Sequence, residues 1–366
     1  MATGELISSI TTSELLGRLD ADDALYMIDV REPDEVADWQ IPGVHNIPLA
    51  ALENSLDDVP RDAKLVLICA KGARAQLGAE ILARHAIPSA VLHGGMGAWA
   101  STYDRVTGDF GGATVVQIRR RGKGCLSYVV GAGATCVVID PSLDVEQYRD
   151  VAREHGWEIT HVLDTHLHAD HLSGARDLVA QSGATLLLSA SDPFHFVFEA
   201  LRDGRRIELA PDVSLTVSAV SVPGHTEGST MYQLGAAAIF TGDTLFLESV
   251  GRPDLADQAE VFAHNLYRSL HERVLPLSDT TTVFPAHYGS AVEVHADIFV
   301  ARPLGDLRHS LAALAMSEDD FVTWAMANVK DRPPNYQRIV RINEGSETLS
   351  ADALEMELGP NRCAIA

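Results

Sequence analysis

Two groups of residues in this chain have the types and spacing to do chemistry. Thr165-His-Leu-His-Ala-Asp-His171 places three imidazoles and a carboxylate in one short run. His225, Asp243 and His287 follow in the contexts PGHTEGS, FTGDTLF and FPAHYG, each just after an apolar stretch. Histidine and carboxylate are ligands for borderline divalent metals, and a loop at a strand end lets alternate residues converge on one ion. Four separate segments of this kind point to a metal centre rather than to a solvated loop. The second group is Cys69-Ala-Lys-Gly-Ala-Arg74, between an apolar run and a helical pattern. A sulfur there meets converging backbone N–H groups and the positive end of a helix, with Lys71 and Arg74 beside it, surroundings that suit an anionic sulfur species. Gly72 permits the tight turn.

The elements that must hold these groups follow from hydrophobic periodicity. Thr11-Thr-Ser-Glu14 has capping-box spacing and predicts a helix. Strands are expected at Ala24 to Val30, Leu65 to Cys69 and Ala90 to Leu92, and a helix at Arg74 to Arg84, which together make a small α/β sheet. The polar stretch Ser101 to Asp109, set among glycines, reads as an interdomain linker. Beyond it a meander is expected over Val115 to Arg119, Ser127 to Val130 and Thr135 to Asp140, then a helix at Val145 to His155. A strand from Ile159 to Asp164 runs into the histidine run. Further strands are expected at Leu215 to Val222, Met231 to Leu234, Ala237 to Phe240 and Thr282 to Phe284, with a helix at Ala259 to Val274. Helices at Leu304 to Ala315 and Glu318 to Ala327 come last, with an irregular remainder.

Composition narrows the field. The 366 residues suffice for two or three domains. With 28 basic against 51 acidic side chains the net charge is −23, which repels nucleic-acid phosphates and anionic lipid, so neither nucleic acid nor membrane is expected as a partner. The four cysteines, Cys69, Cys125, Cys136 and Cys363, show no disulfide or C-x-x-C pattern. No leader or spanning segment is evident in the sequence, and a cytoplasmic location is expected.

Around the thiol loop the chain resembles the rhodanese family of sulfurtransferases. The matching elements are Ile28-Asp-Val-Arg-Glu32, Ile41-Pro-Gly-Val-His-Asn-Ile-Pro48, the loop Cys69 to Arg74, and Leu92-His-Gly-Gly-Met-Gly-Ala-Trp99. The resemblance implies a parallel sheet with helices on both faces. It also implies that Cys69 is the nucleophile that carries a persulfide, with Lys71, Gly72 and Arg74 binding the transferred sulfur. Trp39-Gln40 stands where Gly-His is frequent, and Ala70 where Arg is common, which leaves this loop less basic than many.

The histidine segments resemble the metallo-β-lactamase superfamily, which implies an αββα sandwich with the metal at one edge. All seven of its ligand positions are present: His166, His168, Asp170, His171, His225, Asp243 and His287. Gly251-Arg-Pro-Asp254, Tyr288 and the terminal Asn361-Arg362-Cys363 carry a narrower resemblance to the persulfide dioxygenase family related to the ethylmalonic encephalopathy protein. Val250 departs from the cysteine often found there. That family implies one Fe(II) per chain on His166, His225 and Asp243, with His168, Asp170, His171 and His287 around it. Tyr288 and Arg252 are candidates for the substrate pocket, with buttressing of their loop the preferred reading for Arg252 and Asp254. Cys363 is read as a bystander in a mobile tail, and Cys125 and Cys136 as core residues on strands.

Together the resemblances imply a rhodanese-like domain (1–107), a metallo-β-lactamase-fold domain (108–300) and a helical extension (301–366) that completes it. The expected function is bifunctional sulfur chemistry in hydrogen sulfide metabolism. Cys69 would exchange sulfane sulfur between thiosulfate and a thiol such as glutathione, and iron would oxidise the thiol persulfide with O2 to sulfite. Competing readings are a dinuclear Zn(II) thioester hydrolase of the glyoxalase II type and a non-enzymatic sulfane-sulfur sensor or carrier. A homodimer is compatible with such families.

Overall fold

The computed structural model describes residues 6–202, 204–210, 213–254, 258–289, 292–329, 332, 335–350, 353–359 and 362–365. Asn361 and the first five residues, which entered the sequence reading, lie outside the described residues. The chain divides into two compact units.

The first unit comprises Met1–Asp104 with Arg120–Lys123 and Leu358–Pro360. Its strands are β1 (Ile7–Ile10), β2 (Leu25–Asp29), β3 (His45–Asn46), β4 (Lys64–Ile68) and β5 (Ser89–Leu92). They form one parallel sheet in the order β1-β5-β4-β2-β3. Helices α1 (Thr12–Asp20), α2 (Pro33–Asp38), α3 (Leu49–Leu52), α4 (Ala73–Arg84) and α5 (Gly95–Trp99) pack on it. Alternate strand residues feed two separate cores. Ile28, Leu65 and Leu67 pack with Leu52 of α3 and Ala79 and Leu82 of α4, whereas Met27, Val66 and Ile68 pack with Leu15 of α1 and Met96 of α5. Burial on both faces is why β4 reads as an unbroken apolar run, and it leaves the turn after β4 as the place where a side chain can act. The Thr11 capping box is present, with Glu14 N–H donating to Thr11 Oγ1 and Thr11 N–H to Glu14.

The second unit comprises Arg105–Arg119, Gly124–Glu357 and Asn361–Ala366. One sheet has the order β12-β11-β10-β9-β8-β7-β6, from β6 (Tyr103–Phe110), β7 (Ala113–Arg120), β8 (Cys125–Ala132), β9 (Thr135–Ile139), β10 (Glu158–Leu163), β11 (Thr185–Leu188) and β12 (Glu199–Ala200). The other runs in sequence order through β13 (Arg206–Ala210), β14 (Val213–Ser221), β15 (Thr230–Leu234), β16 (Ala238–Gly242), β17 (Thr282–Pro285) and β18 (Arg302–Pro303). A shared core of Tyr128, Val130, Val137 and Leu163 from the first sheet and Tyr232, Ile239, Phe240 and Phe284 from the second joins them. Helices α6 (Glu146–His155), α7 (Ala175–Ser182), α8 (Ala259–Ser269), α9 (Leu304–Ser310), α10 (Glu318–Ala327) and α11 (Tyr336–Glu344) complete the unit. No helix among the described residues is long and apolar enough to cross a membrane.

Two expectations need correction. The stretch read as a linker is mostly strand β6, which lies at the sheet edge and fully buries only Val106, so its polar composition reflects an edge strand rather than a tether. The remainder read as irregular contains α11, which buries only Ile339, Ile342 and Asn343, an apolar stripe too narrow to register as periodic. Asn343 Nδ2 donates to the carbonyls of His168 (2.9 Å) and His171 (2.8 Å), and its Oδ1 accepts from Ser173 N–H (3.0 Å). The helix therefore holds the backbone of the histidine run.

Two tests follow from these contacts. Asn343→Ala strands the buried carbonyls of His168 and His171 and the half-buried Ser173 N–H, and should lower stability by about 2–3 kcal/mol, read from urea unfolding; a change below about 0.5 kcal/mol would show that the loop holds itself. In the first unit, Glu35 of α2 pairs with Arg74 at the start of α4 (2.6 and 2.8 Å), and that bond pulls the Glu35 carboxyl from 4.5 down to about 2. A carboxylate with a depressed folded pKa stabilises the fold above its unfolded value and loses that contribution as pH falls through the folded one. Acid melting curves of Glu35→Gln should therefore lack a component that the parent loses between about pH 4.5 and 2.

Candidate functional site

The thiol loop follows β4. Cys69 is buried, and its Sγ accepts the N–H groups of Gly72 (3.1 Å) and Ala75 (3.3 Å). Gly72 caps α4 with φ +98, a left-handed conformation that a side chain would strain. The N–H groups of Met96 and Gly97 bind the carbonyls of Cys69 (2.8 Å) and Ala70 (3.0 Å), so α5 holds the loop from behind. Arg74, expected to cradle the sulfur, has its guanidinium engaged by Glu35. Lys71 and Gly72 border a depression of about 500 Å³ with Ser8, Ser9, Gln76 and His93.

In the second unit the ligand segments meet at the strand ends. His166 follows β10, His225 follows β14, Asp243 follows β16 and His287 follows β17. His166, His225 and Asp243 are all buried, and their ligand atoms lie within 4.8 Å of one another. Asp243 Oδ2 is 3.5 Å from His166 Nε2 and 3.3 Å from His225 Nε2. None of these three atoms has a hydrogen-bond partner. The spacing suits one ion bonded at about 2 Å to each.

The surroundings fix both histidine tautomers. Thr165 Oγ1 donates to Asp140 Oδ2 (2.9 Å), so towards His166 Nδ1, also 2.9 Å away, it can only accept. His166 thus carries its proton on Nδ1. His225 Nδ1 faces the carbonyl of Arg252 at 2.9 Å, and a carbonyl only accepts. Both Nε2 lone pairs are left to point at Asp243 Oδ2, the arrangement that metal-binding histidines adopt. Burial holds the pKa of His166 well below the ordinary value, and that of His225 below it too, so both stay neutral ligands.

Each of the other four superfamily positions lies against a charged neighbour, while His168 Nδ1 and His287 Nε2 have no hydrogen-bond partner. His168 Nε2 faces Asp140 Oδ1 at 3.1 Å; burial opposes its charge, but Asp140 outweighs burial and raises its pKa to about 9. His287 places Nδ1 at 2.7 Å from Asp243 Oδ1 and Nε2 at 2.9 Å from Asp170 Oδ2. Against the opposing effect of burial, these two carboxylates hold it well above the histidine range. His171 Nδ1 lies 3.1 Å from Asp170 Oδ1. Arg252 is fully buried, binding Asp254 at 2.7 and 2.8 Å, so its guanidinium buttresses the loop. Tyr288 is half-buried beside His287, and its N–H donates to the Gly124 carbonyl (3.0 Å).

Three residues matter here that sequence reading passed over. Asp192 accepts from Leu167 N–H and Gly228 N–H (2.9 Å each), tying the His166 loop to the His225 loop, yet in sequence it is one aspartate in a turn. Cys125, read as core packing, lies within 4.8 Å of the ligand atoms of Asp170, His171 and His287. Cys363, read as a bystander in a mobile tail, is buried with its sulfur within 4.8 Å of those of Asp243 and His287. The Arg362-Cys363 pair was visible in the sequence; where it docks was not.

The family model of the metallo-β-lactamase superfamily matches residues 120–287, and that of the rhodanese-like domain matches residues 11–102. The chain is 37% identical over 160 residues to the hydroxyacylglutathione hydrolase of Methylococcus capsulatus, covering 43% of this chain and 58% of that protein. It is 32% identical over 159 residues to the mitochondrial persulfide dioxygenase ETHE1 of Bos taurus, covering 41% and 58%. The match thus spans under three fifths of either relative's length. The crystal structure of ETHE1 from Myxococcus xanthus superposes with a TM-score of 0.56 at 26% identity, over 63% of this chain and 97% of that one. Cys69 lies within the first matched segment and His166, His225, Asp243 and His287 within the second, and the chain therefore joins a rhodanese-like domain to a metallo-β-lactamase superfamily domain.

Proposed function

We propose that this chain is a bifunctional enzyme of sulfane-sulfur metabolism: a persulfide dioxygenase with a rhodanese-type sulfurtransferase domain. The observation that carries the reading is the pair of tautomer-locked, unbonded Nε2 atoms of His166 and His225 facing the unbonded Oδ2 of Asp243. Two histidines and one carboxylate would hold one Fe(II) and leave positions open for dioxygen and a substrate sulfur, the donor set of non-haem iron oxygenases. His168 Nε2 and His287 Nδ1 are each turned to a carboxylate, at 3.1 and 2.7 Å, which supports the three-residue ligand set.

In the proposed reaction a low-molecular-weight persulfide, dioxygen and one water give a thiol, hydrogensulfite and one proton. His287, charged between Asp170 and Asp243, supplies a fixed positive field beside the ligands. His166 and His225 remain neutral donors, and burial of the whole cluster keeps bulk water from the reacting sulfur. At the other site, Cys69 attacks the outer sulfur of thiosulfate; the S–S bond breaks, sulfite leaves, and the Cys69 persulfide passes its sulfur to a thiol such as glutathione. The N–H groups of Gly72 and Ala75 hold the attacking sulfur, and Lys71 stands at the rim for the anion.

The second reading, a dinuclear zinc thioester hydrolase, is favoured by the hydroxyacylglutathione hydrolase relative and by the cluster of Cys125, Asp170, His171 and His287, which could take another ion. Protein produced with iron supplementation should hold about one iron per chain and consume oxygen when glutathione persulfide is added. Two zinc ions, no oxygen uptake and cleavage of S-lactoylglutathione would establish the hydrolase instead. Cys69→Ser should abolish sulfur transfer from thiosulfate while leaving iron content and oxygen uptake unchanged; transfer that survives it would refute the rhodanese role.

A further inference from the structure

The last residues of the chain enter the metal centre. Arg252 N–H donates to the carbonyl of Cys363 (3.0 Å), Ile365 N–H to the carbonyl of Val250 (3.0 Å), and Gly251 and Ala364 form an antiparallel bridge. Ser249 Oγ donates to the Ile365 carbonyl (2.6 Å), and Arg252 Nη1 to that of Arg362 (3.1 Å). The tail is thus a short strand laid along residues 249–252. That segment presses on the ligands: a Cβ on Gly251 would fall 1.8 Å from the Asp243 carbonyl oxygen and 3.3 Å from His225 Cβ. Its Arg252 carbonyl is also the group that fixes the His225 tautomer.

The side chain of Cys363 makes a second connection. Its sulfur is buried and lies within 4.8 Å of the ligand atoms of Asp243 and His287. Asp243 thus has His287 Nδ1 at 2.7 Å from its Oδ1 and the Cys363 sulfur close by, while it faces both ligand histidines.

We propose that the C-terminal segment Arg362–Ile365 is a built part of the metal centre: its backbone fixes His225 through the Arg252 carbonyl, and the Cys363 thiol positions the Asp243 carboxylate. The inference rests on the reading of His166, His225 and Asp243 as the metal ligands. Cys363 is a positioning residue here, neither a ligand nor a nucleophile. Groups that orient a metal ligand from behind typically set affinity by about 10–100-fold.

The experiment compares the full chain with Cys363→Ala, Cys363→Ser, His225→Ala and a chain ending at Asn361, each loaded anaerobically with Fe(II) and, separately, with Co(II). Affinity is read by chelator competition, ligand geometry by the Co(II) visible spectrum, and folding by near-ultraviolet circular dichroism. Cys363→Ala should bind about tenfold more weakly with a changed Co(II) spectrum, and Cys363→Ser, which keeps a donor, should stay within about threefold of the parent. The shortened chain should lose at least about tenfold. If it does not fold, the alanine and serine pair decides. Binding by Cys363→Ala as tight as the parent's, with the same Co(II) spectrum, overturns the tail's role while leaving the ligand set standing. A full chain that takes up no stoichiometric ion, or a His225→Ala variant that binds one equally well, overturns the ligand set and this inference with it.

Discussion

Three buried polar atoms that bond to nothing in the chain organise the metal-bearing unit. Each such atom costs about 1–3 kcal/mol when left unsatisfied, so His166 Nε2, His225 Nε2 and Asp243 Oδ2 can be retained together only if something outside the chain satisfies them. Their neighbours are arranged to keep them open. Thr165 and Asp140 take the other nitrogen of His166, the Arg252 carbonyl takes that of His225, and His287 takes the other oxygen of Asp243. Each support comes from a different loop, which is why Asp192, Asn343 and the docked tail are needed to hold those loops in register.

The same packing sorts chemically identical histidines into different roles. His166 and His225 have one polar partner each on Nδ1, and burial keeps them neutral. His168 and His287 lie against carboxylates that outweigh burial, and they carry positive charge. Asp164, buried with one oxygen unbonded, is pushed up to about 7 by burial, and Asp140 lies 3.1 Å from His168 Nε2. The charges are therefore distributed before any ion arrives: neutral nitrogen donors on one side, an imidazolium between two carboxylates on the other. Spacing along H-x-H-x-D-H cannot reveal this division, because it depends on Asp140 and Asp243, which lie at distant points in the chain.

What could be read from sequence follows the same boundary between local and distant causes. The thiol loop, the histidine run and the strands that carry them are local patterns, and β4, β9, β10 and β17 lie within about two residues of where periodicity puts them. Residues whose role comes from a distant partner carried no signal: Asp192 from its turn, Asn343 from a helix with two buried isoleucines, Cys363 from a tail with no apolar period. Strand β6 failed for a related reason, since an edge strand that buries only Val106 has the composition of a linker.

The two thiol environments set the terms on which this chain can handle sulfur. At Cys69 the sulfur is held by backbone N–H groups of Gly72 and Ala75, and the nearest guanidinium, Arg74, is engaged by Glu35. Ala70 adds no charge, so anion recognition rests on peptide dipoles and Lys71. Dipoles of that kind favour a small, singly charged sulfur more than a dianion, whose second charge calls for a free cation. Under the proposed function this tilts the loop towards sulfane sulfur carried on a thiol, the same species that the metal centre would oxidise. The Cys363 sulfur is instead buried beside the side chains of Asp243 and His287. Under the proposed function the first would carry sulfur, and the second would help to position a carboxylate.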